Sequence, residues 1–240
     1  MKKIINLIAF LGITYPYGIL SGIIFWILWA FKAIRISHWK RFPYWQGNLI
    51  LASNHPSLLE PFLLPALFFK EYLFHPLKFA PWSTPDSNNF YNRWYWFWLR
   101  SRVVPITRGD VREEAKSLFM MRDILNSGGR IILFAEGGRT SKGETFLHSK
   151  KGRKIRELKS GIGWLVMKTG AEVLPVWVEG TDKVLPNVQD RLFTWPKLGG
   201  RITIKIGQPL RFQKNSPYLT KEAITQIIAN ALLELADEEE

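Results

Sequence analysis

From Ile4 to Phe31 the chain runs 28 residues without a charged side chain, and no other feature restricts its fold as much. A helix of roughly 20 apolar residues spans a hydrocarbon core, so this stretch is long enough to cross a bilayer or lie within one. A cleavable secretory signal would share the basic start at Lys2 and Lys3. Its apolar part, however, is usually about 7 to 15 residues long and ends in small residues. A buried core helix is the other alternative, and so long an uninterrupted apolar run is unusual there. Basic residues flank both ends, with Lys32, Arg35, Lys40 and Arg41 following the run. Positive flanks favour the cytosolic side, and Pro16 falls near the middle, inside the stretch Gly12 to Gly18. Together these features predict a helical hairpin dipping into one leaflet, with Trp39 and Trp45 at the interface. The division expected is a membrane-associated segment over residues 1–45 and a globular domain over 46–240, on the cytosolic face of the cytoplasmic (cell inner) membrane.

Beyond residue 46, short apolar runs alternate with amphipathic stretches, the rhythm of an α/β fold. The pattern predicts strands at Asn48 to Ser53, Leu77 to Ala80, Val103 to Ile106, Arg130 to Ala135, Val173 to Val178 and Arg201 to Ile206. Helices are expected at Ser57 to Tyr72, Phe90 to Leu99, Val111 to Asn126 (ended by Gly128 and Gly129), Gly161 to Thr169 and Lys221 to Ala236. In the last of these, Ile224, Ile227, Ile228, Ala231, Leu232 and Leu235 share one face. The acidic run Asp237 to Glu240 sits where a helix dipole prefers cations, which predicts a solvated, fraying tail. The bulky run Trp94 to Trp98 cannot all face one side of a helix, so part of it is expected to meet lipid or an acyl chain.

Lys and Arg number 33 against 20 Asp and Glu, a formal charge of +13, which attracts anions such as nucleic acid, lipid headgroups or a phosphorylated ligand. Nucleic-acid binding would explain the charge but not the apolar segment. The absence of cysteine excludes disulfides, a thiolate nucleophile and Cys-ligated zinc. No Gly-x-Ser-x-Gly turn marks a lipase-type serine, and no Gly-x-x-x-x-Gly-Lys-Ser/Thr loop marks a nucleoside triphosphate site.

Two stretches can carry chemistry. In LILASNHPSLLEP, Leu49 to Pro61, a strand runs into Asn54 and His55, and Pro56 suits a first helical turn. A histidine at the carboxy end of a strand in an open α/β sheet can meet a substrate hydroxyl and act as general base. Glu60 lies within reach if the intervening residues turn, and a carboxylate on the second ring nitrogen fixes the tautomer and stabilises the imidazolium. The alternative is a histidine that caps a turn. In FAEGGRTSKG, Phe134 to Gly143, Arg139 can pair with phosphate oxygens, and Gly137 and Gly138 can offer backbone N–H groups; the alternative is a surface turn. Arg108, in Val104-Pro105-Ile106-Thr107-Arg108-Gly109, supplies a second guanidinium.

These stretches resemble four blocks of the glycerolipid acyltransferase family, especially the 1-acylglycerol-3-phosphate (lysophospholipid) acyltransferases, over about Asn48 to Gly180 and in the family's order. NHPSLLE is similar to the first block at Asn54, His55 and, by type, Glu60, where the family has Asp. Arg108 resembles the end of the second block. Phe134 to Thr140 is similar to the third, Phe-Pro-Glu-Gly-Thr-Arg-Ser, matching at Glu136, Gly137 and Arg139, with Ala135, Gly138 and Thr140 as departures. Leu174-Pro175-Val176 looks like the fourth, preceded by the Lys-x-Gly of Lys159 to Gly161. Between Arg139 and Gly161 the loop is longer than in the family, and from Lys142 to Lys159 it holds seven Lys/Arg against two Glu. It is either a solvated basic loop or a dock for anionic headgroups or membrane.

The resemblance implies a mixed sheet flanked by helices, with residues 46–240 as the catalytic domain. It implies transfer of an acyl group from an acyl thioester, acyl-CoA or acyl carrier protein, to a lysophospholipid hydroxyl, with 1-acylglycerol-3-phosphate giving phosphatidic acid. His55 and Glu60 would be catalytic, and Arg108, Glu136, Gly137, Gly138, Arg139 and Thr140 would bind substrate. Neither metal nor cofactor is implied, and membrane lipids, not nucleic acids, are the expected partners. The alternatives are a non-catalytic lipid-binding or membrane-scaffolding protein on the same fold, or an enzyme for another lipid or glycolipid acceptor.

Overall fold

The computed structural model describes residues 2–92, 100–186, 199–215 and 217–239. It opens with one unbroken helical rod: α1 (Lys2–Ala9), a π-helical turn (Phe10–Thr14) and α2 (Tyr15–Ala30). The expected hairpin does not form. Ala9, Thr14 and Tyr15 all keep right-handed helical backbone angles, and the Tyr15 N–H reaches back five residues to the Phe10 carbonyl. A proline inside a helix removes one N–H and crowds the carbonyl four residues earlier. The wider π turn just before Pro16 absorbs that conflict without reversing the chain. Ile4–Ala30 is long and apolar enough to cross a membrane, and only 17% of its apolar stretch is buried in the protein.

The rod is seated through small residues. A side chain at Gly18 would collide with the Tyr72 ring, and one at Gly22 with Phe69. The Tyr72 hydroxyl donates to the Thr14 and Tyr15 carbonyls at 3.0 and 3.3 Å. Phe10, Thr14 and Phe25 are buried on this side, while Leu20, Ile23, Ile24 and Ile27 face outward.

β1 (Ile34–Ser37) lies within the stretch expected to be the membrane segment and forms one edge of a six-stranded sheet. β2 (Leu49–Ser53) follows, then α3 (Glu60–Leu63), a 3-10 stretch at Leu64–Phe68, α4 (Phe69–Phe74), α5 (Pro76–Phe79) and β3 (Trp82–Ser83). The helix expected over Ser57 to Tyr72 therefore starts later and is broken, with Pro61 and Pro65 each entering at a first turn. The strand expected at Leu77 to Ala80 is largely α5, because Pro76 presets a helical φ at its first position. Val103 to Ile106 makes only isolated bridges, Ser83 to Val103 and Asp86 to Ile106. Most of the helix expected at Phe90 to Leu99, with its Trp94 to Trp98 run, lies outside the described residues.

The chain continues through α6 (Val111–Asn126), β4 (Arg130–Leu133), the hairpin strands β5 (Phe146–His148) and β6 (Lys154–Arg156), α7 (Gly161–Thr169), β7 (Glu172–Glu179), α8 (Thr181–Val184), β8 (Ile202–Ile206) and α9 (Lys221–Asp237). The sheet order is β1-β8-β7-β2-β4-β3. β7, β2, β4 and β3 are parallel, β8 runs against β7, and β1 runs with β8. The sheet is thus mixed, with β2 at its centre and buried throughout. Successive strand residues point to opposite faces. Ile50 and Ala52 accordingly pack with residues of α6, α7 and α9 on one face, and Leu49 and Leu51 pack with Phe25, Leu64 and Phe68 on the other.

The acidic end is not a loose tail. Asp237 accepts from the Ser149 hydroxyl at 2.7 Å and the Lys151 N–H at 3.0 Å, and Glu238 takes both arms of Arg41 at 2.8 and 2.6 Å. The basic loop from Lys142 to Lys159 is correspondingly an ordered β5–β6 hairpin, with its tip clasped to this tail.

Candidate active site

Asn54 follows directly on β2 and bridges to β7: its amide nitrogen donates to the Val178 carbonyl at 2.9 Å, and its oxygen accepts the Val178 N–H at 2.7 Å. That side-chain pairing, 124 residues apart in sequence, extends the β2–β7 ladder by one rung and fixes the exit of the chain toward His55. The His55 N–H donates to Glu136 Oε1 at 2.8 Å, and its carbonyl accepts the Thr140 N–H at 2.8 Å. Its ring stacks on Phe134, with centroids 4.2 Å apart. The loop after β4 therefore grips His55 by backbone and ring together.

The imidazole meets Glu60 at 2.8 Å, Nδ1 to Oε2, so the longer side chain in place of aspartate reaches its partner. Glu60 is fully buried. Its carboxylate also accepts the Ser57 N–H at 3.1 Å to each oxygen and the Ser57 hydroxyl at 3.0 Å. A carboxylate so held fixes the ring with Nε2 directed to the open side. Ser57, itself fully buried, was missed as a site residue in the sequence, where it reads only as the start of a helix.

Glu136 and Thr140, expected to bind substrate, instead brace the loop. Glu136 is fully buried and accepts from the His55 N–H, the Thr140 hydroxyl and the Arg156 N–H, each at 2.8 Å. Burial pushes its carboxyl up, and those hydrogen bonds pull the other way. The Gly137 N–H is not on offer either, since it closes a turn onto the Phe134 carbonyl at 3.1 Å. With φ at +68°, this position favours glycine. The Gly138 N–H, by contrast, has no partner among the described residues.

Arg139 lies within electrostatic reach of the dyad. Burial lowers the pKa of its guanidinium, and the Glu60 charge partly offsets this. Arg108 approaches Asp86 at 3.6 Å, with its side chain 53% exposed. Asp86 was another residue the sequence did not flag.

His55, Arg108, Gly137 and Gly138 line a cavity of about 250 Å³, whose remaining wall is mostly apolar: Leu58, Phe62, Phe69, Ala80, Val103 and Ile106 among others. Tyr17, Gly18, Ser21 and Gly22 of α2 close one side. Arg102 also lines it, its guanidinium held between the Phe10 and Trp82 rings at 4.6 and 5.1 Å. A general base, cations and a long apolar recess thus share one cleft, the arrangement suited to an amphiphile with a charged head.

A solved crystal structure of the 1-acyl-sn-glycerophosphate (LPA) acyltransferase PlsC from Thermotoga maritima has the same fold, with a TM-score of 0.62 at 19% identity, covering 94% of this chain and 81% of that one. The chain is 27% identical over 184 residues to a 1-acyl-sn-glycerol-3-phosphate acyltransferase of Chlamydomonas reinhardtii, covering 77% of this chain and 48% of that protein. It is 26% identical over 200 residues to a chloroplastic enzyme of the same name from Arabidopsis thaliana, covering 83% and 49%. Drosophila melanogaster tafazzin is 27% identical over 140 residues, covering 57% and 33%. The chain spans about half the length, or less, of these curated relatives. The family profile described as Acyltransferase matches residues 32–179, from the start of the sheet to the end of β7, and the chain belongs to that family.

Proposed function

We propose that this chain transfers an acyl group from a thioester, acyl-CoA or acyl carrier protein, to the hydroxyl of a phosphate-bearing lysolipid. Lysophosphatidate is the acceptor chosen, with phosphatidic acid as the product. The observation that carries this reading is the 2.8 Å His55–Glu60 pair at the wall of an apolar cavity lined in part by arginine. His55 Nε2 takes the proton from the acceptor hydroxyl as its oxygen attacks the thioester carbonyl. Glu60 stabilises the imidazolium that results. The tetrahedral oxyanion collapses, the C–S bond breaks, and the imidazolium returns its proton to the departing thiolate, leaving ester and free thiol. Such a base contributes roughly 10² to 10⁴ in rate, and alignment of two bound substrates contributes more.

Arg108 and Arg139 are assigned to the acceptor phosphate, and the Gly138 N–H to the oxyanion or the phosphate. The apolar cavity suits an acyl chain. The exposed isoleucines and leucines of the rod, with Leu73, Phe74 and Leu77 nearby in sequence to its seat, are assigned to the lipid phase, and the cleft is assigned to the cytosolic face of the cytoplasmic membrane. The relatives named for acylation of 1-acylglycerol-3-phosphate support the acceptor class, and the intact dyad argues against a purely scaffolding role. The test is thiol release by purified protein with acyl-CoA or acyl carrier protein and a panel of lysolipids. Release dependent on lysophosphatidate and absent from His55→Ala supports the reading, and no release with any phosphate-bearing acceptor overturns it.

A further inference from the structure

The basic hairpin, whose tip is clasped by the acidic tail, sends one cation back toward the cleft. Arg156, the last residue of β6, has its N–H fixed on Glu136 Oε2 at 2.8 Å, the same carboxylate that holds the backbone of His55. Its side chain then runs through a slot made by two glycines. A Cβ on Gly143 would stand 2.5 Å from Arg156 Cγ and 2.9 Å from Cδ, and one on Gly138 would stand 2.6 Å from Nη1. The same point at Gly138 is 3.7 Å from Arg108 Nη1. Two guanidinium groups of like charge, from segments nearly fifty residues apart, thus converge on one backbone position in the cleft wall. Among the described residues, the Arg156 guanidinium has no hydrogen-bond or ion-pair partner, while Arg108 has only Asp86, at 3.6 Å. Like charges brought together without a carboxylate between them repel, and a doubly charged anion relieves that repulsion while accepting hydrogen bonds from both.

We infer that Arg156 is a specificity-determining residue that, with Arg108 and the Gly138 N–H, binds the phosphate monoester of the acceptor. The inference rests on the proposed acyl transfer and adds a member that none of the four family-like blocks supplies, since Arg156 sits in the β5–β6 hairpin between them. Its position, anchored through Glu136, also ties occupation of the phosphate site to the loop that grips His55.

The test measures steady-state kinetics of wild type, Arg156→Ala, Arg156→Lys and Gly143→Ala with lysophosphatidate as acceptor. Gly143 has ordinary extended backbone angles, φ −81° and ψ 155°, so alanine is tolerated there by the main chain and displaces only the arginine stem. Arg156→Ala is expected to raise the acceptor KM about tenfold with kcat and the donor KM unchanged. Arg156→Lys should recover part of that loss, and Gly143→Ala should raise the same KM by a smaller factor. An unchanged acceptor KM, or a rise confined to the thioester donor, overturns the inference. Inorganic phosphate binding by calorimetry gives an answer independent of turnover: weakening by about tenfold in Arg156→Ala supports the site, and equal binding overturns it. If wild type binds phosphate through Arg156 yet releases no thiol, the proposed function fails while the anion site stands.

Discussion

The two walls of the cleft are built on opposite principles. On the His55 side, both backbone groups of the histidine, its Nδ1 and both oxygens of Glu60 have partners in the protein. On the arginine side, Arg108 is half exposed and lightly held, and the Arg156 guanidinium meets no acceptor among the described residues. The difference follows from the work assigned to each. Proton transfer depends on distances fixed before the substrate arrives, whereas a phosphate dianion can gather flexible guanidinium groups around itself. Damage to the first wall should therefore appear in kcat and damage to the second in KM.

The largest break expected is His55→Ala, which should lower kcat by about 10² to 10⁴; the backbone bonds to Glu136 and Thr140 keep the loop in place, while loss of the ring from the buried Glu60 carboxylate should also lower the melting temperature modestly. Residual turnover close to wild type would remove the base from His55. Glu60→Gln should lower kcat less, toward the lower end of that range at about 10²: the amide still reaches the ring but brings no charge and sets an NH₂ against donors from Ser57. Equal rates across a pH series would reduce Glu60 to a helix-start residue. Arg139→Ala should raise the KM for lysophosphatidate about tenfold with little change in kcat, and a matching loss with an uncharged acceptor would break the distinction between the walls.

The smallest effect concerns Glu136. Its carboxyl pKa is pushed above the ordinary 4.5, chiefly by burial. A group raised on folding contributes stability that is complete below its unfolded pKa and lost as pH climbs through the folded value. The melting temperature of wild type relative to Glu136→Gln should therefore be more favourable at pH 4 than at pH 7. A gap that widens with pH would show the three hydrogen bonds outweighing burial.

Much of this was legible in the residues because strand ends and helix starts are local events. The Leu49 to Ser53 run and the turn at Pro56 put His55 at a sheet edge, and the five-residue step to Glu60 closed a single turn. α6, α7 and α9 followed their apolar spacing, and α6 stopped before Gly128 and Gly129. What escaped was long-range or conformationally marginal. Periodicity cannot show Asn54 pairing with Val178, nor Arg156 returning to Gly138, because both depend on how distant segments pack. The hairpin expected around Pro16 failed because a single π turn relieves a proline as well as a reversal does. The acidic tail, read as solvated, and the basic loop, read as either solvated or a dock for anions, are clasped together at Ser149 and Lys151, an outcome that composition taken segment by segment does not reveal.

The seat of the amino-terminal rod has a further consequence. Tyr17, Gly18, Ser21 and Gly22 complete the perimeter of the recess, while the opposite side of the same helix is bare of polar cover. A shortened protein, trimmed at Ala30, would keep His55 and its arginines but lose one boundary of that recess, together with the Phe25 ring packed against the sheet. On the proposed acyl transfer, such a truncation should discriminate poorly between long and short acyl chains, which would make one piece of polypeptide both a boundary for the lipid chain and the attachment to the lipid phase.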